Sequence, residues 1–379
     1  MAANTRRLTR AFIHLDRLGH NLRLLQAEAG GRPLWPVVKA DAYGHGSVLV
    51  ARHLAALGFD TVGVADIGEA AVLADAGLNL CCLILSATLP EHSEAIVGYG
   101  CEPAVCTREM LEALAREARR QGRQVAVHLK VDTGMGRVGV HPREVPALLE
   151  FCRTPPALRV RGLMSHFPCA DEADKGYSLE QLERFRAVVE ATRPFGIEVR
   201  HMANSAAILD LPGSHFDAVR PGIAMYGLRP SAEIANPRVR DLEPVLEWKT
   251  RVVFLKEVPA GTGLSYGHAF HTARNSLIAT LPVGYGDGLS RRLSNQLEVL
   301  IGGMRCPQVG RITMDMSLVD VTALRGRVAL GDEAVIIGRQ HDQEVTADQL
   351  AAKLGTINYE IVTRIGHRVP RVPVEPCAS

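Results

Sequence analysis

At 379 residues the chain is more than twice the roughly 150 residues expected per domain, so two or three domains are expected, with cores that need no disulfide or metal staple. Its 47% hydrophobic and 22% charged residues, with 35 Gly and 21 Pro, are those of an ordinary globular protein and exclude a disordered or fibrous chain. The 43 Lys and Arg against 41 acidic residues leave a formal charge of +2, which gives no electrostatic reason to expect nucleic acid as a partner.

The start, Met1 to Arg10, has no apolar run behind its positive charges, so no secretory signal is expected. The most apolar runs, such as Leu80 to Leu85, are far shorter than the roughly 18 residues of a membrane span. The eight cysteines, Cys377 among them, contain no C-x-x-C, and the histidines contain no H-E-x-x-H. A reducing, cytoplasmic setting without a metal site is therefore expected.

Ala11 to Leu15 reads as a strand that precedes the first helix and joins a second, later domain. From there to about residue 230, short apolar runs alternate with amphipathic stretches of helical length, the pattern of a parallel sheet with crossover helices. Eight such runs lie at 34–39, 61–66, 81–86, 101–106, 125–131, 158–164, 197–202 and 216–220. Helical spacing fills the gaps, most clearly over Arg108 to Arg120 and Leu179 to Thr192. Arg119, Arg120 and Arg123 read as a solvated helix face. Eight repeats predict an α/β fold of the (β/α)8 TIM-barrel type over 15–232.

Beyond residue 232 the texture changes to Gly and Pro punctuation with Val and Ile runs such as Trp248 to Val258. A mostly β domain is expected from 233–379 together with 1–14, helical only over Thr346 to Lys353.

In such barrels chemistry is built where strands end, so the polar residues after each run are the candidates. Lys39 ends the apolar run Val37-Val-Lys; a poorly solvated lysine there has a lowered pKa and an amine available for Schiff-base chemistry. After the fifth run come Lys130 and Arg137, after the sixth His166, after the seventh Asn204 and Ser205, and after the eighth Arg220, Gly222 and Ile223. Taken singly, the lysine could simply snorkel, and Asn204 and Ser205 could simply cap a helix. Together they would converge on one cleft.

Two other strings are rejected on context. Gly134-Met-Gly-Arg-Val-Gly139 fits G-x-G-x-x-G, but Pro142 interrupts any helix opening directly from Gly139. Gly263-Leu-Ser-Tyr-Gly267 fits the hydrolase elbow G-x-S-x-G, but Ser265 lies in the β-rich region without a clear following helix.

The stretches Val37 to Gly46, Lys130 to Gly139, Met164 to Phe167, His201 to Ser205, Val219 to Gly227, Gly263 to Tyr266, Val283 to Gly288, Gly310 to Asp315 and Asn358 to Glu360, in that order, resemble the alanine racemase family. The resemblance covers nearly the whole chain. It implies pyridoxal 5'-phosphate bound through Lys39, racemisation of alanine for D-alanine and peptidoglycan synthesis in a bacterial source, and a homodimer whose composite sites take Tyr266 from the partner. Lys39 and Tyr266 would act as bases on opposite faces of the substrate, with Arg220 at the pyridine nitrogen and His166 linking Arg220 towards Tyr266.

By the same resemblance Tyr43, Asn204, Ser205, Gly222, Ile223 and Tyr359 are implied in cofactor binding, chiefly at its phosphate. Arg137 would meet both the cofactor's phenolic oxygen and the substrate carboxylate, with Met314 donating a backbone hydrogen bond. Lys130 resembles a lysine that is carbamylated in many relatives. Asp171, Tyr285, Arg291, Arg311 and Tyr359 resemble residues lining the access channel. Thr313 and Cys169 differ from the cysteine and the small residue expected at those positions, so serine or a broader amino acid range stays open as substrate. A decarboxylase on the same barrel would place a carboxylate, not Arg220, at the ring nitrogen. A non-catalytic cofactor carrier or regulator would be expected to lack the β domain and Tyr266.

Overall fold

The computed structural model describes residues 7–374. Cys377 and the start of the chain, on which the expectations about disulfides and a secretory signal partly rest, lie outside the described residues. Among those described, no helix is long and apolar enough to cross a membrane.

The chain divides into two compact units. The first, Arg17–Ala42 with Ser47–Glu243, carries six parallel strands: Thr61–Val64, Cys81–Ile84, Glu102–Val105, Val125–Lys130, Leu158–Met164 and Val199–His201. Each pairs in parallel with the next in chain order, so each connection is a crossover through a helix. The runs at 34–39 and 216–220 are not regular strands. They close the ring through single parallel bridges, Val37 to Gly63, Leu34 to Val219 and His201 to Ala218. Pro36 interrupts the first run and Pro221 follows the last; neither can donate to a ladder, so pairing is reduced to bridges such as Trp35 N–H to Val219 O at 2.8 Å. The eightfold α/β barrel-like arrangement is kept with fewer regular strands than the eight expected.

Helix Arg108–Arg120 shows why the sequence folds this way. The Thr107 side chain caps it by accepting from Met110 N–H, and Met110, Leu111, Leu114, Ala115 and Ala118 form its buried stripe. Arg120 pairs with Glu117 and Glu94 at the exposed C-terminal end. Arg123 is exposed, as expected, but lies beyond the helix end, where it donates to the carbonyls of Val97 and Gly98 and so satisfies the end of helix Ser93–Gly98. The helix expected from Leu179 begins earlier, spanning Gly176–Ala191.

In the second unit a ten-stranded sheet runs in the order Arg371–Val374, Arg10–His14, Leu246–Arg251, Glu333–Gln340, Glu298–Ile301, Met304–Val309, Ser317–Asp320, Ser276–Leu281, Phe254–Val258, with Gln343–Val345 paired to Glu333–Gln340. The strand expected near Ala11 pairs antiparallel with Leu246–Arg251 and parallel with Arg371–Val374. The run expected over Trp248 to Val258 breaks in two because Val252 and Val253 N–H groups leave for Asp332 and Thr280 carbonyls. Helix Ala347–Leu354 opens on a capping box of Thr346 and Gln349. A second helix, Asn358–Thr363, is too short to show periodicity in the sequence.

Candidate active site

Lys39 follows the bridged segment 34–38 and opens an unusual turn. Ala40, Asp41 and Ala42 have φ/ψ near +53°/+50°, and Tyr43 continues with φ +53°. For residues with a Cβ this left-handed conformation costs roughly 1–2 kcal/mol each, so the surrounding structure must over-determine it. Part of that restraint is visible: the Glu69 carboxylate accepts from Ala40 N–H at 2.7 Å and from Ala65 N–H at 2.7 Å, and Asp41 accepts from Ser47 N–H at 2.7 Å. The turn is thereby tied to the C-terminal end of strand Thr61–Val64.

Burial lowers the Lys39 pKa, Arg137 and Arg220 lower it further, and Glu69 opposes them. Lys130, at the end of strand Val125–Lys130, donates to Leu85 O at 3.0 Å. Burial, with Arg220 and Arg137, brings it down to about 8. His166 is half-buried, and desolvation plus the fields of Arg220, Lys39, Lys130 and Arg137 hold its pKa well below the usual histidine range, so it is neutral. Lys39, Lys130, Arg137, His166 and Arg220 are thus brought together, as the strand-end argument required. Arg137 is exposed, on a loop whose turn is built by Asp132 accepting from Gly134 and Gly136 N–H groups.

Arg220 is buried and donates to Ser165 O at 2.7 Å, Met202 O at 3.2 Å and His201 Nδ1. Burial pulls its pKa down to about 10, which still leaves the guanidinium charged at neutral pH.

Ser205 Oγ accepts from Gly222 N–H at 2.8 Å and Ala224 N–H at 3.2 Å. With its acceptor capacity engaged, its own O–H is a donor suited to an anion. Asn204 caps helix Ser205–Asp210, accepting from Ala207 N–H at 3.1 Å. Gly222, with φ −114°, and Ile223 open a 3-10 turn.

These residues fit pyridoxal phosphate. A half-buried amine of lowered pKa is what its aldehyde needs, and mutually repelling cations beside hydroxyl and amide donors need the negative charge of its phosphate and phenolate oxygens.

In the β unit, segment Tyr43–Gly46 is held against helix Asn358–Thr363. A Cβ on Gly44 would lie 2.1 Å from Val362 O, and Arg371 donates to Gly44 O at 2.8 Å. This brings Tyr43 and Tyr359 together, ring centroids 6.2 Å apart. Ser265 Oγ donates to Arg311 O, and Tyr285 and Gly286 N–H groups donate to Thr313 and Met314 carbonyls, so the turns carrying Tyr266, Tyr285, Arg311 and Met314 interlock. Buried Asp287 secures them, accepting from Gly284 N–H and from Arg368, which also reaches Met314 O. Tyr266 is 71% exposed, Met314 53% and Tyr285 43%. Arg291 and Arg311 are exposed on the same unit, while half-buried Asp171 belongs to the barrel unit.

Neither rejected motif gains support. Gly139 leads to a bridge between Val140 and Val131 and then a 3-10 turn at Pro142–Glu144. Ser265 precedes only a 3-10 turn, Tyr266–His268. Sequence reasoning passed over His128, His201 and Glu102, whose side chains continue inward from Arg220. The available signal was a polar residue inside each of three apolar runs, indistinguishable from ordinary solvent-facing alternation.

The family model described as alanine racemase, N-terminal domain, matches residues 13–230, and that for the C-terminal domain matches 245–373. The chain is 44% identical over 368 residues to the alanine racemase of Desulfovibrio desulfuricans, covering 96% of this chain and 98% of that one. It is 44% identical over 372 residues to that of Halothermothrix orenii, covering 97% of each. Among solved structures, alanine racemase of Clostridium difficile 630 superposes with a TM-score of 0.92 at 34% identity, over 97% of this chain and 96% of that one. The Bacillus anthracis enzyme, solved with bound L-Ala-P, gives 0.91 at 36%, over 98% and 96%.

Proposed function

The chain belongs to the alanine racemase family as a pyridoxal phosphate-dependent isomerase, and from that premise we propose which of its residues interconvert L-alanine and D-alanine. Bound pyridoxal phosphate supplies an electron sink that acidifies the substrate Cα–H. Lys39 Nζ, once released from the cofactor, removes or returns the Cα proton on one face. Tyr266 of the partner subunit serves the other face. Two groups are needed because a single base would tend to return the proton where it found it. The observation that carries this reading is the half-buried Lys39 amine at the end of the bridged segment, its pKa lowered by desolvation and by Arg137.

The homodimer with composite sites is supported by the exposed aromatic and methionine side chains at the interlocked turns of the β unit, where large uncovered apolar groups favour a partner surface. In this division the barrel part, 15–232, holds the cofactor, and the β part, 1–14 with 233–379, supplies the second base. The Ser205 O–H and the Ile223 N–H are assigned to the phosphate, Gly222 and Asn204 acting through Ser205, whose Oγ takes the Gly222 N–H and whose helix Asn204 caps, and Tyr43 and Tyr359 are the β unit's candidates for the same group. Exposed Arg137 holds the substrate carboxylate, aided by the Met314 backbone. Asp171, Tyr285, Arg291, Arg311 and Tyr359 line the access channel.

Arg220 is the residue that would meet the pyridine nitrogen. A charged guanidinium would not give up its proton there, which would leave the nitrogen unprotonated, weaken the sink and favour return of the proton to Cα over transamination. His166, neutral in this cationic setting, links Arg220 towards Tyr266 of the partner subunit by hydrogen bonding rather than by charge.

The test is incubation of cofactor-loaded protein with L-alanine in heavy water, following deuteration at Cα and chirality together. D-alanine carrying deuterium at Cα is expected; an intact holoenzyme that exchanges no Cα proton overturns the reading.

Lys130 is the carbamylation candidate. Near pH 8 much of its amine is neutral and can add to CO2, forming an N–C bond and releasing a proton to solvent, which converts a cation beside Arg137 into an anion. A carbamate carbonyl resonance is expected when the protein is equilibrated with 13C-bicarbonate at alkaline pH and is expected to vanish in Lys130→Arg. Crystallographic density ending as a plain amine at that pH rules it out.

A further inference from the structure

The polar interior of the barrel unit contains a chain of side chains that begins at Arg220 and runs away from the chemistry. Arg220 donates to His201 Nδ1. His201 Nε2 lies 2.9 Å from His128 Nδ1, and His128 Nε2 lies 2.9 Å from Glu102 Oε2. Arg161 Nη1 closes the chain on both Glu102 oxygens, at 2.7 and 2.6 Å. Arg220 stands after the last barrel run and Glu102 at the first residue of its strand, so the chain crosses the barrel from its C-terminal towards its N-terminal face.

The direction of every proton in this chain is dictated by its ends. A guanidinium only donates, so His201 Nδ1 must accept. Both histidines are fully buried, and burial lowers both pKa values, so each is a neutral imidazole with one N–H. His201 therefore carries its proton on Nε2 and donates it to His128 Nδ1, and His128 carries its proton on Nε2 and donates it to Glu102. Glu102 can only accept: burial pushes its pKa up, but the His128 hydrogen bond and the Arg161 ion pair outweigh that and hold it at about 2.

The packing enforces the same arrangement. The Trp35 indole meets both imidazoles edge-on, at 5.6 Å from His128 and 4.8 Å from His201. A Cβ at Gly162 would sit 2.2 Å from His128 Nδ1, so glycine there leaves the space that the ring occupies. A polar network this deep is costly unless each member is satisfied, and here every ring nitrogen has a partner.

We propose that Glu102 is a positioning residue for racemisation, acting through His128 and His201 to orient and electrostatically support the Arg220 guanidinium at the cofactor ring. The proposal rests on the assignment of Arg220 to the pyridine nitrogen. Charge at Glu102 raises the acceptor strength of His128, which raises that of His201, which in turn stabilises a cation that burial alone disfavours. Glu102 touches neither substrate nor cofactor.

The experiment uses the loaded enzyme and two readouts. In 15N-histidine-labelled wild-type protein, His128 and His201 are expected as Nε2–H tautomers, uncharged at neutral pH; an Nδ1–H tautomer or an imidazolium at either position overturns the relay without any variant. Glu102→Gln, which keeps an acceptor but removes the charge, is expected to lower kcat in both directions about tenfold, the lower end of the range for partners that orient a functional group at one remove. KM is expected to change less than twofold, since Arg137 is untouched, and Glu102→Asp is expected to restore most of kcat. Glu102→Gln with unchanged kcat and wild-type tautomers overturns the positioning role, as does an equal loss in the Gln and Asp variants. If Arg220→Lys also leaves kcat unchanged, the assignment of Arg220 itself has failed; if Arg220→Lys is impaired while Glu102→Gln is not, only the role of Glu102 has.

Discussion

Lys39→Ala is expected to abolish racemisation in both directions and to remove covalent attachment of the cofactor. Two functions are lost at one atom. On the proposed assignment the half-buried Nζ would be the amine that holds the cofactor, and the same Nζ would move the Cα proton on one face. Position 39 also opens a left-handed turn pinned by Glu69 at Ala40, and alanine leaves that backbone unchanged, so the loss is chemical rather than structural. The measurement is activity in both directions together with borohydride trapping and mass analysis. A variant that still yields a reduced covalent adduct refutes the assignment.

Tyr266→Phe is expected to impair both net interconversions by about 10²–10⁴-fold, the usual contribution of a positioned general acid or base, while cofactor stays bound. The expected signature is asymmetric. Lys39 still exchanges the Cα proton of the enantiomer it faces with solvent, whereas exchange from the opposite enantiomer collapses. The phenyl ring keeps the packing of the exposed tyrosine at its turn, so the dimer and the cofactor spectrum are expected to persist. Equal, near wild-type exchange from both enantiomers would show that another residue is the second base.

How far the site was legible in the sequence differs from residue to residue. The nearness of Lys39, Lys130, His166 and Arg220 was legible because each ends or follows a recognisable apolar run, and in a barrel the ends of those runs converge. Arg123 is exposed like its neighbours Arg119 and Arg120 but shares no helix face with them, because the helix ends at Arg120 and Arg123 turns to the carbonyls of another helix. The neutral state of His166 depends first on desolvation and then on four cations from distant parts of the chain.

The sequence alone determined the barrel-like and β domains, the lysine that ends its first apolar run, and the family, because these rest on local periodicity and on motifs in order. Only the tertiary structure decided the rest. It reduced the first and last barrel runs to bridges, since proline removes donors that only a neighbouring strand would have met. It held Ala40, Asp41 and Ala42 in a left-handed turn that their local preferences oppose, through Glu69 and Ser47. It joined Glu102, His128, His201 and Arg220 into one oriented chain, because a period-2 pattern says that a residue alternates but not whether its face meets water or the inside of a closed barrel.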